Sequence, residues 1–160
     1  MKRAALVLFA FLVLSCAQAQ DMYLGVRVDV LGKLSPLIVV VPFVGVHFGA
    51  PVLDNVELRA SLATVLFASA LQADILYTYP LSEALRGYGG VGGDIVEYPS
   101  LCGCDPQNFG VHATAGVESQ LGSGIGLFGE VQPLFFLTDV EGTGFESFIL
   151  KLNTGINFHF

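Results

Sequence analysis

Hydrophobic residues recur at every second position along much of this 160-residue chain. The alternation is clearest in residues 147–160, where an apolar set interleaves with a set that is mostly polar or small. The apolar set is Phe148, Leu150, Leu152, Thr154 (its one polar member), Ile156, Phe158 and Phe160. A period of two residues places successive side chains on opposite faces of a β-strand. The pattern repeats in residues 109–118 and 125–132, so the chain is predicted to fold as amphipathic strands.

Turn-forming residues divide the chain into strands of similar length. Glycine, proline, asparagine and aspartate cluster between most of the alternating segments. Pro42 interrupts the second segment, and the boundary near Ala68–Ala70 has no glycine or proline. The predicted strands are 22–31, 37–49, 55–67, 69–80, 86–98, 108–120, 124–137 and 147–160. The predicted fold is all-β, an eight-stranded antiparallel up-and-down barrel.

The N-terminus has the organisation of a secretory signal peptide. Lys2 and Arg3 precede the apolar run 4–14, and Ala17-Gln18-Ala19 follows as a cleavage site. The run is too short to cross a membrane as a helix, which needs about 20 residues. Cys16 also allows a lipoprotein reading, although Leu14 and Ser15 fit that motif poorly. We expect a signal peptide at 1–19 and a single barrel domain at 20–160.

Composition indicates which face of the strands meets water. Hydrophobic residues make up 53% of the chain and charged residues only 13%, whereas soluble domains carry about 25% charged residues. A soluble barrel of the lipocalin type would need a charged exterior. The barrel is therefore predicted to be inverted, with an apolar band facing lipid. The formal net charge of −7 argues against nucleic acid as a partner.

The charges within the predicted strands share one face with small residues. An eight-stranded barrel has an interior that side chains just fill, and unpaired charge there is costly. We therefore predict an interior polar plug in which Arg27, Arg59 and Lys151 are the cations. Its full membership is Arg27, Asp29, Glu57, Arg59, Asp74, Asp94, Glu118, Glu130 and Lys151.

The last strand carries a resemblance to a known group. Residues 152–160 alternate and end in Phe160, and Leu127-Phe128-Gly129-Glu130-Val131-Gln132-Pro133 precedes them. These segments resemble the small eight-stranded bacterial outer-membrane barrels of the OmpA, OmpX and opacity-protein group. The lack of tryptophan departs from the aromatic girdles of that group. The resemblance implies the outer membrane as location, lipid as partner, and an assembly signal at Phe158 and Phe160 that the barrel-assembly machinery reads.

With both termini in the periplasm, the connections alternate between the two sides of the membrane. Residues 32–36, 68–70, 99–107 and 138–146 are expected outside. Residues 50–54, 80–85 and 122–123 are expected to be periplasmic turns. The last two external segments are the longest and carry Asp105, Asp139, Glu141 and Glu146.

Two clusters carry candidate chemistry. Cys102-Gly103-Cys104 could form a loop disulfide, pair with another chain, stay as free thiols or bind a soft metal; no metal site is predicted, because zinc normally needs wider spacing and further ligands. His112, Thr114 and Glu118 share a strand face in the way that outer-membrane lipid A deacylases place a histidine, a hydroxyl and an acid. These three, like His47 and His159, are expected instead to bond within the interior.

The sequence predicts an integral outer-membrane barrel, without enzymatic activity, whose external loops have a structural, adhesive or interaction role. The alternatives are a lipid-modifying enzyme using His112 and Thr114, and a soluble, secreted ligand-binding barrel. No cofactor is implied, and a monomer is expected.

Overall fold

The computed structural model describes residues 22–32, 40–65, 68–97, 107–137 and 148–160. Alternating hydrophobicity appears there as eight strands. They are β1 (Tyr23–Gly32), β2 (Val40–Leu53), β3 (Val56–Val65), β4 (Ala68–Pro80), β5 (Leu85–Glu97), β6 (Gln107–Gly122), β7 (Ile125–Phe136) and β8 (Phe148–His159). The described residues contain no helix with the length and hydropathy needed to cross a membrane.

Each strand pairs antiparallel with its neighbours in sequence, and β1 pairs with β8 to close the barrel. Following paired residues around the sheet from His159 leads through Tyr23, Gly49, Arg59, Asp74, Gly92, His112 and Leu134 to Ile149. The path returns to β8 ten residues from its start, 159 less 149. A stagger of this size over eight strands tilts them by about 40° from the barrel axis.

Short turns connect the strands at one end of the barrel, which we call the turn end. Residues 54–55, 81–84 and 123–124 form these turns, and the N–H of Phe160 donates to the carbonyl of Met22 there at 3.0 Å. Asn55 and Gly124 have φ angles of 64° and 86°, a region that asparagine and glycine tolerate best. The opposite end, where the other connections lie, is called the loop end.

The second strand differs from the prediction at both of its ends. Pro42 lies inside β2 opposite Val30, so it does not interrupt the strand; proline is tolerated near a strand's start. β2 also continues through residues 50–53 with a register shift between Pro51 and Leu53, which places the turn at 54–55. The prediction of a turn over residues 50–54 was wrong, because a bulge absorbs the proline without ending the pairing.

The connection between β3 and β4 is also shorter than predicted. β3 ends at Val65 and β4 begins at Ala68, which pairs directly with Val65. The prediction that residues 68–70 form a loop was therefore wrong. Their sequence contains no glycine or proline that would end the strand.

Candidate functional site: barrel interior and outer wall

The nine charged residues assigned to the plug all point into the barrel. Each of the nine is at most 6% exposed, and together they are Arg27, Asp29, Glu57, Arg59, Asp74, Asp94, Glu118, Glu130 and Lys151. They occupy alternate positions on seven strands, so the period of two brings them into one space. The interior is therefore a shared ionic network rather than an apolar core.

Arg59 links strands that do not pair in the sheet. Its Nε donates to Asp74 Oδ2 on β4 at 3.1 Å, and its Nη1 and Nη2 donate to the two oxygens of Glu130 on β7 at 2.7 and 3.2 Å. The second contact is bidentate, the geometry that favours arginine for carboxylates. Because β3 and β7 lie on opposite sides of the barrel, this contact crosses the interior.

Arg27 and Lys151 join a second part of the network. Arg27 Nη2 donates to Asp29 Oδ2 and to Gln72 Oε1, both at 2.7 Å. Lys151 Nζ donates to the same Gln72 oxygen at 2.8 Å and lies 3.4 Å from Asp94 Oδ1. Gln72 thus connects two cations, and its amide nitrogen donates to Asp74.

His112 lies between two carboxylates. Its Nε2 is 2.5 Å from Asp74 Oδ1, and its Nδ1 bonds Asp94 Oδ2. Carboxylates only accept hydrogen bonds, whereas a neutral imidazole has one donor and one acceptor. The geometry therefore fits a ring with both nitrogens protonated, which adds a cation to the network.

The three residues of the catalytic alternative do not form one unit. The hydroxyl of Thr114 accepts a bond from Gln132 Nε2 at 3.1 Å, and Glu118 accepts from Arg86 Nη2 at 2.8 Å and Asn157 Nδ2 at 2.7 Å. His112 and Thr114 are each 4% exposed, on the face away from lipid.

Sequence reasoning missed one interior cation, Arg86. Near the turn end its guanidinium bonds Glu118 and lies 3.4 Å from Glu57 Oε2. The phenol of Tyr23 donates to Glu57 on the same side. Arg86 is the first residue of the predicted strand 86–98, next to the turn expected over residues 80–85, and the even numbering that it shares with Asp94 places it on the inward face. Among the described residues the interior holds six carboxylates and four Arg or Lys side chains.

Both remaining histidines bond within the turn half of the interior. His47 is 2% exposed, with its Nε2 2.6 Å from Asn157 Oδ1. The Nε2 atom of His159 lies 2.6 Å from Glu118 Oε1, and its side chain is 18% exposed. In the described part of the chain no group of three or more His, Cys, Asp or Glu residues could hold a metal ion.

Apolar side chains fill the interior at the loop end. They form one cluster, which we call the apolar layer: Leu31, Phe43, Ala63, Ala68, Val96, Leu134, Phe136 and Ile149. These residues lie at the loop-end halves of their strands, whereas Glu57, Arg86 and Glu118 lie near the turns. The interior is thus mainly polar from the turn end to its middle and mainly apolar at the loop end, where the buried Asn108 is an exception.

The outward side chains form an apolar outer wall. Exposed examples occur on all eight strands and include Val26 at 48%, Leu62 at 52%, Val91 at 62% and Leu152 at 50%. Phe158 and Phe160 are 45% and 67% exposed on this wall. The Arg and Lys residues of the described strands all lie on the inner face, including Arg86, which bonds Glu57 and Glu118 near the turn end. Such a surface is incompatible with water and suits a bilayer.

Several predicted features lie outside the described residues. These are the signal peptide at 1–19, Cys102 and Cys104, and the acids Asp105, Asp139, Glu141 and Glu146. The roles proposed for them therefore stay predictions.

The sequence matches no protein-family model and no curated protein. Solved structures are nevertheless similar over most of the chain. The N-terminal β-barrel domain of Pseudomonas aeruginosa OprF is 16% identical, with a TM-score of 0.65, and the match covers 89% of this chain and 100% of that domain. Neisserial surface protein A is 11% identical, with a TM-score of 0.67, and the match covers 87% of this chain and 97% of that one. OprH of P. aeruginosa is 13% identical, with a TM-score of 0.67, and the match covers 88% of this chain and 99% of that one.

Fold and surface chemistry agree in these comparisons. The similar structures are small outer-membrane barrels, and this chain has the closed eight-stranded topology together with an apolar wall and a polar interior. That combination is the one that lets a barrel cross a bilayer with every backbone group paired. The chain therefore has the fold of the small, eight-stranded outer-membrane barrels, with an outer wall that suits a bilayer.

Proposed function

We propose that this protein is a closed, non-enzymatic outer-membrane barrel that binds a partner of basic character through its loop-end connections. The observation that carries the proposal is the filled interior. The apolar layer and the ionic network occupy the space that a substrate or a permeating ion would need. The groups able to meet a partner are therefore those outside the barrel.

The lengths of the connections support an outward loop end. Barrels of this class have short periplasmic turns and longer extracellular loops. The turn end has residues 54–55, 81–84 and 123–124, whereas β5 and β6 are separated by residues 98–106 and β7 and β8 by residues 137–147. We therefore place the loop end outside the cell.

Charge supports a basic partner. The segments between the strands at the loop end carry Asp105, Asp139, Glu141 and Glu146 against the single cation Lys33. Complementary charge steers association and fixes partner choice more than it sets affinity. A cationic protein surface fits this excess of carboxylates better than a sulfated or phosphorylated one.

Binding to a cationic probe tests the loop proposal. The folded protein in lipid nanodiscs should bind a polylysine-coated sensor, and the variant D139N/E141Q/E146Q should bind at least about tenfold more weakly. The matched control D54N/E83Q changes acids at the turn end and should bind like the parent. Equal loss in both variants, or no loss in the first, would contradict the proposal.

Two further measurements test the closed and non-enzymatic character. Purified protein in a planar bilayer should give no stepwise conductance, because the apolar layer blocks the interior. Cells that express the protein should keep the lipid A mass profile of cells with an empty vector. Reproducible channel steps would overturn the closed state, and a new deacylated lipid A species would restore the enzyme alternative.

A further inference from the structure

A recess interrupts the outer wall across β4, β5 and β6. Its volume is about 690 Å³. Three of the residues that line it, Ala73, Gly93 and Ala113, have a side chain no larger than a methyl group. Ala73 pairs with Gly93. Ala113 pairs with Val91, two residues from Gly93 along β5, and so lies diagonally from Gly93 in the sheet. Ile75 lies beside this floor toward the turns and Val111 toward the loops.

The recess is continuous with the lipid-facing surface. Ile75 and Val111 are 56% and 45% exposed on the outer wall. Arg59, Asp74 and His112 also line the recess, but each is at most 4% exposed. Asp74 and His112 are near the middle of β4 and β6, which places the recess at the depth of the hydrocarbon. Its occupant in a membrane must therefore be apolar.

We propose that this recess is a saturable site for one acyl chain of a membrane phospholipid. Over much of the rest of the wall, projecting side chains such as Val26, Leu62 and Leu152 keep lipid away from the backbone. In the recess an acyl chain contacts the small floor residues and the bulkier residues beside them at the same time, and each added atom contact contributes dispersion energy. The acyl chain in the recess therefore exchanges more slowly than the acyl chains around the rest of the barrel.

Two other occupants fit less well. In a twofold dimer the recess would face its own copy, and two concave surfaces would leave a void rather than fill one. Lipid A carries phosphates that require Arg or Lys partners. Arg59 lines the recess, but it is 4% exposed and its guanidinium bonds Asp74 and Glu130; Arg86 and Lys151 bond carboxylates inside the barrel. A zwitterionic phospholipid needs no such partner.

The absence of tryptophan from the chain allows a clean test with single reporters. Val91→Trp places one at the edge of the recess, and Val26→Trp places one on β1 at the opposite side of the barrel; both native side chains are exposed. Each folded variant, in detergent micelles, is titrated with dibrominated phosphatidylcholine. Quenching of Val26→Trp should rise in proportion to the mole fraction of brominated lipid. Quenching of Val91→Trp should saturate, and it should reach half of its maximum at a mole fraction about tenfold lower than the one that gives the same quenching of Val26→Trp.

Filling the recess provides the matched control. A Cβ at Gly93 would meet nothing closer than the Gly110 carbonyl at 3.7 Å, and a Cβ at Gly129 would meet nothing within 4 Å. Both sites therefore accept leucine on the outer wall. In the Val91→Trp protein, Gly93→Leu should abolish the early saturation and Gly129→Leu should preserve it. If Val91→Trp does not fold, Val111→Trp is the second reporter.

Each other result contradicts the proposal. Equal mole-fraction dependence at both reporters would mean general lipid solvation only, and saturation that survives Gly93→Leu would place the lipid elsewhere. Unlabelled phosphatidylcholine should displace the brominated lipid. Displacement by lipid A at lower concentration would assign the recess to lipid A instead. None of these outcomes depends on the role of the loops.

Discussion

Arg59 shows how a single interior residue stabilises the barrel. Its guanidinium contacts Asp74 on the adjacent strand and Glu130 across the interior, and its side chain is 3% exposed. The sheet's own hydrogen bonds join only neighbouring strands. Arg59 therefore adds a connection through the centre; Glu130 receives its charge compensation from this contact, whereas Asp74 also contacts His112.

Replacing Arg59 by methionine should cost about 3–5 kcal/mol of unfolding free energy. The substitution keeps most of the volume but leaves buried carboxylates without their cation. The measurement is urea unfolding of the refolded protein in detergent micelles, followed by the fraction of folded barrel on a gel.

A double variant separates charge from packing in this experiment. Arg59→Met combined with Glu130→Leu should recover part of the loss, because an apolar replacement of a buried ion pair is often close to neutral. Leu58→Met, on the lipid side of the same strand, should change stability by less than about 0.5 kcal/mol. A single-variant loss below about 1 kcal/mol would show that the network is dispensable.

The period of two identifies which residues point inward but not which ones meet. Glu130 and Asp74 can be assigned to the inner face from the sequence alone. Their shared contact with Arg59 depends on strand stagger and on the reach of the side chain across the interior, which no local pattern contains. Arg86 was left out of the predicted plug for a related reason, since it lies at the first position of the predicted strand, beside a turn, and its contacts with Glu57 and Glu118 are remote in sequence.

At the scale of a strand, β5 shows how closely the wall must pack. A Cβ at Gly90 would lie 2.0 Å from the backbone carbonyl of Ile75 on β4. Backbone cannot move aside as a flexible side chain can, so β4 and β5 would have to separate. Gly90 thus allows the close approach that a narrow barrel needs.

Gly90→Ala should therefore lower the unfolding free energy by about 1–3 kcal/mol, the usual cost of overpacking. Gly129→Ala is the matched control, because a Cβ there meets nothing within 4 Å. That control should be neutral or stabilising by up to about 1 kcal/mol. Urea unfolding measures both variants, and equal stabilities would refute the packing argument.

β8 carries the predicted assembly signal. The Phe160 side chain is 67% exposed, and its N–H is bonded to Met22 at the barrel seam. Phe160→Ala keeps that backbone bond, so refolding in detergent should change by less than about 0.5 kcal/mol. If the resemblance is correct, the amount of folded barrel in the outer membrane should fall several-fold. Unchanged amounts in cells would remove Phe160 from the signal.

Strand boundaries were predictable where local chemistry decides them. Asn55 and Gly124 adopt the left-handed backbone of tight turns, and turns were expected next to both residues. Pro51 led to the wrong prediction of a turn, because a bulge between Pro51 and Leu53 keeps β2 paired with β3. Whether a proline ends a strand depends on whether the pairing with the neighbouring strand can accommodate a bulge, and the sequence around the proline does not contain that information.

For the whole molecule, the sequence predicted a barrel with an apolar exterior, and the structure confirms this inverted arrangement. The low content of charged residues is explained by the exposed outer wall. The charges in the strands lie in the interior, except for Glu97 at the loop end of β5, which is exposed. The division of that interior into a polar part and an apolar layer was not anticipated. Leu134, Phe136 and Ile149 continue inward faces that carry polar residues further along the same strands.

The central claim is a closed barrel whose outside faces lipid. The most direct test is the migration of the detergent-extracted protein on an SDS gel before and after boiling. A folded transmembrane barrel, with its backbone groups paired within the closed sheet, should resist SDS unboiled and migrate differently from the boiled chain. Identical migration, with the protein recovered from the aqueous fraction without detergent, would contradict the account.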